Sequence, residues 1–396
     1  MDLKIDNCPI CGNSERELLL DFEGSLQFIH NEYNKFLLKK FQCSDCFHVY
    51  TAYIENYALE DHYESTRDSA QELIYSSNAQ ESINVFDNLV DWAMEGFDKL
   101  SFPYILDIGC GKSDLLQSFS RKVTSSNLYG IDYSPKAKMF GEANGLNNII
   151  SGNFYNENFD DNKFNLITAT GLMEHQPNLS LFVEKIISLM EPNGYLLIEV
   201  PDSFSILTGR PDLKAKSAHD ICNDEHLHHF NENSLIKIFN EYGFSVVRKR
   251  KISRGIWDVI DVLFCYTNNK EDLEYLPNKN NDVKNIFLNM KNINNINLNN
   301  IIKKHGSLSI YGAGWHTCKV LLSYYNFDFS FVNKIFDKDS RKIGKKIYGI
   351  EIVEPNKSSL AGEIILISSI NMNSSIVKYL SDKGVSKNNI INIYPD

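Results

Sequence analysis

Long apolar runs are missing from this chain, basic charge is in deficit, and cysteine is sparse. No stretch of about 18 or more uninterrupted apolar residues occurs, so no membrane-spanning helix is expected. No apolar run follows a basic segment at the start, so no secretory leader is expected and the cytoplasm is the expected location. Lys and Arg number 40 against 51 Asp and Glu, a net charge of −11. That balance argues against nucleic acid as a partner, because a basic face is needed to neutralise phosphates. It leaves room for a small anionic ligand held by a few local amides and cations. What the chain does have is 43% hydrophobic and 12% aromatic residues over 396 positions, ample for the cores of two or three domains.

The eight cysteines divide into two kinds. Cys110, Cys222, Cys265 and Cys318 stand singly and read as buried small hydrophobes. The other four form two pairs, Cys8-Pro-Ile-Cys11 and Cys43-Ser-Asp-Cys46, separated by 31 residues. Each pair is a tight turn that presents two thiolates on one side, as a tetrahedral Zn²⁺ requires. Gly12 lets the backbone curl around the metal, and the strand-like residues between the pairs suit a hairpin. Four thiolates fill the coordination shell, so the expected zinc is structural, with Cys8, Cys11, Cys43 and Cys46 as ligands. Residues 1–55 are read as this zinc-binding module.

Residues 56–267 alternate strand and helix patterns, the signature of an α/β fold with a helix-wrapped parallel sheet. "YILDIGC", "NLYGIDY", "FNLITATGL", "GYLLIEVP" and "SVVRKRKI" read as strands. "DLLQSFSRKV", "LSLFVEKIISLM" and "NENSLIKIFNEYGF" read as helices. Residues 268–304 form a polar linker with a short amphipathic stretch; 11 of the 23 residues from Asn278 to Asn300 are Asn. Residues 305–396 begin with "LSIYGAGWHTCKVLL", a second strand–glycine turn–helix unit, and read as a smaller Rossmann-like domain.

The stretch "YILDIGCGKSDLL" is the most informative. A buried strand carrying Asp107 leads into Gly109-Cys110-Gly111, whose glycines let the backbone approach a ligand closely. One strand later Asp132 stands where a carboxylate accepts hydrogen bonds from both ribose hydroxyls of an adenosine. "LDIGCG" resembles motif I of the class I methyltransferases, and "SGNFYNENF", with Asn153 and Phe154, falls where that family contacts adenine. "FNLITATGLMEHQPNLSLFVEKIISLMEPNGYLLIEVP" is similar to the family's later motifs. The resemblance implies S-adenosylmethionine as cofactor, held by Asp107, Gly109, Cys110, Gly111, Asp132, Asn153 and Phe154. Two positions depart from the family: Ser113 replaces its third glycine, and Asn153 replaces its usual Asp.

The order of zinc module, methyltransferase core and C-terminal Rossmann-like domain resembles the bacterial sugar C-methyltransferases, which act on nucleotide-linked 4-keto deoxysugars. "IYGAGWHTCKVLL" and "IFDKDSRKIGKKIYGIEIVEP" are similar to that family's C-terminal segments. A small-molecule substrate, a nucleotide-linked sugar, is thereby implied, with Tyr311, Gly312, Gly314 and His316 around the nucleotide. The helix expected after that turn presents unpaired amides suited to a phosphate; a purely structural lid is the other reading. The segment "NDEHLHHF" matches the family's Tyr-His-Glu-His motif, which makes His226 the base, Glu225 its helper, and puts Asn223 where the family has tyrosine. Tyr63, in "HYESTRDS", occupies the place of a second family tyrosine. The same segment also resembles the lid of methyltransferases acting on oxygen, so O- or N-methylation of a sugar or small metabolite stands beside C-methylation. A non-catalytic donor-binding protein is the third reading, motivated by Ser113 and Asn153.

Overall fold

The computed structural model describes residues 2–29, 32–54, 79–97, 102–123, 127–202, 225–253, 258–270, 298, 300–314, 316–318, 321, 327–369 and 373–392. Tyr63, Asn223, Cys222 and the amphipathic part of the Asn-rich segment lie outside these. Among the described residues no helix is long and apolar enough to cross a membrane.

Four strands form the N-terminal part: β1 (Leu3–Lys4), β2 (Arg16–Ile29), β3 (Glu32–Cys43) and β4 (Val49–Ile54). β2 and β3 make the long hairpin expected between the cysteine pairs, and β4 returns along β3. After the helix Ala79–Met94 come β5 (Tyr104–Ile108), β6 (Asn127–Asp132), β7 (Asn148–Ser151), β8 (Phe164–Thr170) and β9 (Met190–Pro201). The two-residue β10 (His228–His229), the helix Glu232–Glu241, and the hairpin β11 (Phe244–Ser253) and β12 (Asp258–Tyr266) follow. The sheet runs β11-β12-β9-β8-β5-β6-β7. β5 to β9 are parallel, and β12 is antiparallel to both its neighbours. Its central strands are near-continuous apolar runs because helices and loops cover both faces; Ile105, Leu106, Leu166, Ile167, Leu196, Leu197 and Ile198 are all buried.

The last segment contains β13 (Leu308–Tyr311), β14 (Val332–Phe336), β15 (Lys346–Ile347), β16 (Ile350–Val353), β17 (Ile365–Ile367), the helix Asn373–Asp382 and β18 (Ile390–Asn392). β14-β13-β17-β18 is a parallel group, as a Rossmann-like unit requires. The N-terminal strands connect with both other parts. β15 pairs with β3, so one sheet continues from the cysteine hairpin into the C-terminal strands. Leu19, Leu20, Leu38, Val49 and Ile54 share a hydrophobic cluster with Ile310, Ile335 and Ile352. On the other side, β10 pairs with β4, with His228 opposite Tyr50 and His229 opposite Val49. Cys8, Cys43, Tyr50 and Ala52 join the core cluster that contains Phe230 and Phe239.

Polar groups lock this second junction. His228 Nε2 donates to the Gln176 carbonyl at 2.9 Å, which leaves its Nδ1 to accept from His48 Nε2 at 3.2 Å. The rings of His48 and His228 stack at 5.4 Å, and Phe230 lies 5.1 Å from His48. Burial holds both imidazoles neutral: His48 is well below the usual histidine range, and His228 is pushed down to about 3. A histidine with a depressed folded-state pKa favours folding above its unfolded value and loses that contribution as pH falls. The stability of the chain is therefore expected to decline as pH drops from 6.5 toward about 3. Denaturant titrations across that window measure it, and His228→Gln flattens the slope; an unchanged slope contradicts the assignment.

Candidate functional site

The parallel order reverses between β5 and β8, and the loops leaving their carboxyl ends border the crevice where such sheets bind ligands. After β5 the chain turns through Gly109 at φ 76 and Gly111 at φ 49. The Ile131 carbonyl on β6 accepts the amides of Gly109 at 2.8 Å and Cys110 at 3.1 Å, which folds the turn back over the sheet. Gly130 permits this approach: a Cβ there would lie 2.8 Å from Cys110 Sγ and 2.8 Å from Ile149 Cδ1. Asp132 brackets the turn, its Oδ2 accepting Gly111 N–H at 2.9 Å and its Oδ1 accepting Ser134 N–H at 2.8 Å. A carboxylate offers about four acceptor positions, and two of them hold this turn in place.

Asp107 plays a different part. It is buried, accepts the Thr168 hydroxyl at 2.7 Å, and desolvation pushes its carboxyl up to about 7. Cys110 is also buried, which raises its thiol. Asn153 caps the short turn Phe154–Asn156 by accepting Tyr155 N–H at 2.8 Å. Phe154 is packed into the core against Phe182. Ser113, the residue in place of a glycine, adopts φ 65 and ψ 23 and is fully buried. This left-handed conformation explains why glycine suits the position.

The loop after β8 contributes Met173–His175, a turn that the sequence reading quoted but did not assign to the site. Glu174 and His175 are buried, and His175 Nδ1 donates to the Glu225 carbonyl at 2.8 Å. The His175 Nε2 is thereby directed toward Glu174 Oε1, at 3.8 Å. His226 completes the group: its ring lies edge-on to His175 at 4.9 Å, and Glu174, His175 and His226 bring one ligand atom each within 4.8 Å of the others. Two imidazoles beside one carboxylate suit proton transfer near neutral pH. Glu225 meets this group through its backbone carbonyl. In "NDEHLHHF" the roles divide sharply, since Leu227, His228, His229 and Phe230 are buried structural residues while Glu225 and His226 are half-buried.

The four paired cysteines converge. Cys8 Sγ lies 3.5 Å from Cys46 Sγ, Cys11 Sγ lies 3.5 Å from Cys43 Sγ, and all four sulfurs fall within 4.8 Å of one another. None is in a disulfide. A tetrahedron with Zn–S of about 2.3 Å has edges of about 3.8 Å, so the donor set fits zinc.

In the C-terminal part, the Gly312 turn repeats the logic of the first. A Cβ on Gly312 would sit 2.8 Å from the Ser368 carbonyl oxygen, whereas, its chain neighbours aside, none of the described residues lies within 4 Å of a Cβ built on Gly314. Asp337, at the end of β14, accepts Ala313 N–H at 2.8 Å and Asp339 N–H at 2.9 Å, the same bracket that Asp132 makes. The amides of Gly312 and Ala313 are thus already engaged, by the Phe336 carbonyl and by Asp337. Tyr311 and His316 are buried, with His316 Nδ1 2.7 Å from Ser368 Oγ.

The methyltransferase domain family matches residues 79–249. Among solved structures, the chain is similar to the magnesium protoporphyrin IX methyltransferase of Synechocystis PCC 6803 with bound SAH, at 17% identity and TM-score 0.41, covering 52% of this chain and 97% of that one. It is similar to the plantazolicin methyltransferase BpumL in complex with SAH at 14% identity and TM-score 0.41, covering 52% and 94%. A third is the 1,6-didemethyltoxoflavin-N1-methyltransferase of Burkholderia thailandensis, at 13% identity and TM-score 0.41, covering 57% and 97%.

Relief of the left-handed backbone makes Ser113→Gly stabilising, by about 1 kcal/mol. Equilibrium unfolding measures the gain, and a loss of stability contradicts the strain assignment.

Proposed function

We propose that this chain, whose residues 79–249 match the methyltransferase domain family, is an S-adenosylmethionine-dependent methyltransferase whose acceptor is a carbon beside the ketone of a nucleotide-linked sugar. The observation that carries this reading is the placement of His226 against Glu174 and His175, beside the crevice that the donor loop borders. When bound, the donor supplies a methyl group on a positively charged sulfonium. Gly109 and Gly111 would admit its backbone-side contacts, Asp132 would take ribose hydroxyls, and Asn153 would border the adenine on a turn whose Phe154 is packed in the core.

His226 removes the proton from the carbon next to the carbonyl. The electron pair left behind forms the enolate; a bound donor would supply this carbon with its methyl group and leave as the neutral thioether. His226 keeps the proton as imidazolium, steadied by the Glu174 carboxylate across the cluster. Glu225 holds His175 through its carbonyl, and so helps by orienting the neighbour of the base. Asn223 and Tyr63 are assigned to the enolate oxygen side by resemblance alone. Methylation of an oxygen or nitrogen uses the same base and is the competing reading.

The C-terminal turn supports a nucleotide site through the room that the described residues leave at Gly314 and the lysine at Asp337, Lys342 Nζ lying 3.1 Å from its Oδ2. Cys8, Cys11, Cys43 and Cys46 hold structural zinc. The zinc reading predicts one equivalent per chain by elemental analysis, lost in Cys43→Ser.

The substrate reading is tested with donor carrying a ¹³C-methyl group and a panel of nucleotide-linked 4-keto deoxysugars, the product being read by NMR. A carbon-bound methyl is expected; an oxygen- or nitrogen-bound methyl overturns the C-methylation reading. His226→Ala is expected to keep SAH binding and to lose about 10²–10⁴-fold in transfer. Near-wild-type turnover contradicts its role as base. Asp132→Ala is expected to weaken SAH binding by calorimetry.

A further inference from the structure

Lys40 is fully buried, although "LLKKFQ" gives no sign that its two lysines differ. Its neighbour Lys39 reaches Asp21 at the surface, as alternation along a strand directs. An ammonium withdrawn from water is costly unless it is paired, so the location of its bonds matters. Two of them go to the loop that carries His226: Lys40 Nζ donates to the His226 carbonyl at 3.0 Å and to His229 Nε2 at 2.7 Å. The second bond requires His229 Nε2 to be bare, because an ammonium only donates.

The strand geometry aims this grip. The β3–β4 register skips one residue of β4 between Lys39 and Lys40, so that Lys40 stands opposite Thr51 rather than Ala52. Such bulges re-aim neighbouring groups. Here the result is a double hold, with Thr51 N–H on the Leu227 carbonyl at 2.7 Å and Lys40 on the carbonyl just before it. Cys43, three residues further along the same strand, anchors this end of β3 in the sulfur cluster.

We propose that Lys40 is a positioning residue for His226, fixing the loop through the His226 carbonyl and the Nε2 of His229, and that its positive charge keeps the His226 ring neutral and able to accept a proton. The proposal rests on the reading of His226 as the base. The described titratable and charged groups next to His226 are Glu174, His175 and His229 against its ring, Glu225 beside it in sequence, and Lys40 at its backbone carbonyl. The carboxylates favour imidazolium and Lys40 opposes them. The same charge already contributes to lowering His228.

The test uses the full zinc-loaded chain with ¹³C,¹⁵N-labelled histidine, its resonances assigned through His226→Gln and His229→Gln. In the unaltered protein His229 is expected as the Nδ1–H tautomer with an unprotonated Nε2; an Nε2–H tautomer overturns the proposal, and this reading holds even if variants at Lys40 fail to fold. In Lys40→Met the His226 titration midpoint is expected to rise by about one unit, and Lys40→Arg, which keeps the charge, returns it toward the starting value. With the pKa of the base raised, a larger fraction is protonated at a given acidic pH, so the acidic limb of the rate profile moves to higher pH. A folded Lys40→Met with the His226 midpoint and His229 tautomer unchanged overturns the proposal. The spectra need no substrate, so failure of His226 as base, seen as retained turnover in His226→Ala, is read separately.

Discussion

The pairing of β10 with β4 is the contact on which the rest of the candidate site depends. Two residues, His228 and His229, add themselves to the edge of the cysteine hairpin, and everything on the loop takes its position from them. The turn after β8 alone would place Glu174 and His175 at the crevice. Only the strand addition brings His226 to the same place, where its ring meets His175 at 4.9 Å. A short strand pair is weak in isolation, so this one is reinforced by burial of Leu227 and Phe230, by the histidine pair and by the buried lysine. The cost of burying Lys40, His48, His228 and His229 there is offset by hydrogen bonds that also define the loop's register.

This arrangement gives the N-terminal strands a role beyond carrying the sulfur cluster. They pair with β15 on one side and with β10 on the other, so the module is the structural link between the crevice and the C-terminal turn. The sulfur cluster lies at the end of β3, and His48, which stacks on His228, follows the second cysteine pair directly. The sulfur cluster is therefore tied to the site mechanically, through the placement of strands. The donor loop is built independently of it, from contacts among β5, β6 and β8.

How much of this was legible in the sequence follows from how local each signal is. The strands, the glycine turn, Asp132 and the cysteine pairs were legible because each is a short pattern with one physical meaning. The left-handed Ser113 was partly so: the departure there was visible, its positive φ was not. The division of labour within "NDEHLHHF" was not legible. Whether a histidine there is a base or a strut depends on partners about 180 positions away, as His48 and His228 are. Lys40 was missed for the same reason, since in the sequence it is one of two adjacent lysines and only the pairing with Thr51 and the loop separates it from Lys39. Glu174 and His175 were quoted as a family motif, yet their place beside His226 needed the fold. In the C-terminal part the sequence suggested unpaired amides, and the structure shows two of them engaged, one by a carboxylate bracket that duplicates the one at Asp132.

Hydrogen–deuterium exchange on the chain before and after zinc is stripped with a chelator tests the central claim most directly, because it reads the loop and the donor turn in one experiment. Loss of protection is predicted in the module and in Leu227–Phe230 together, with the Gly109–Ser113 turn left protected. Loop protection that survives while the module loses its own contradicts the claim that the module holds His226 in place.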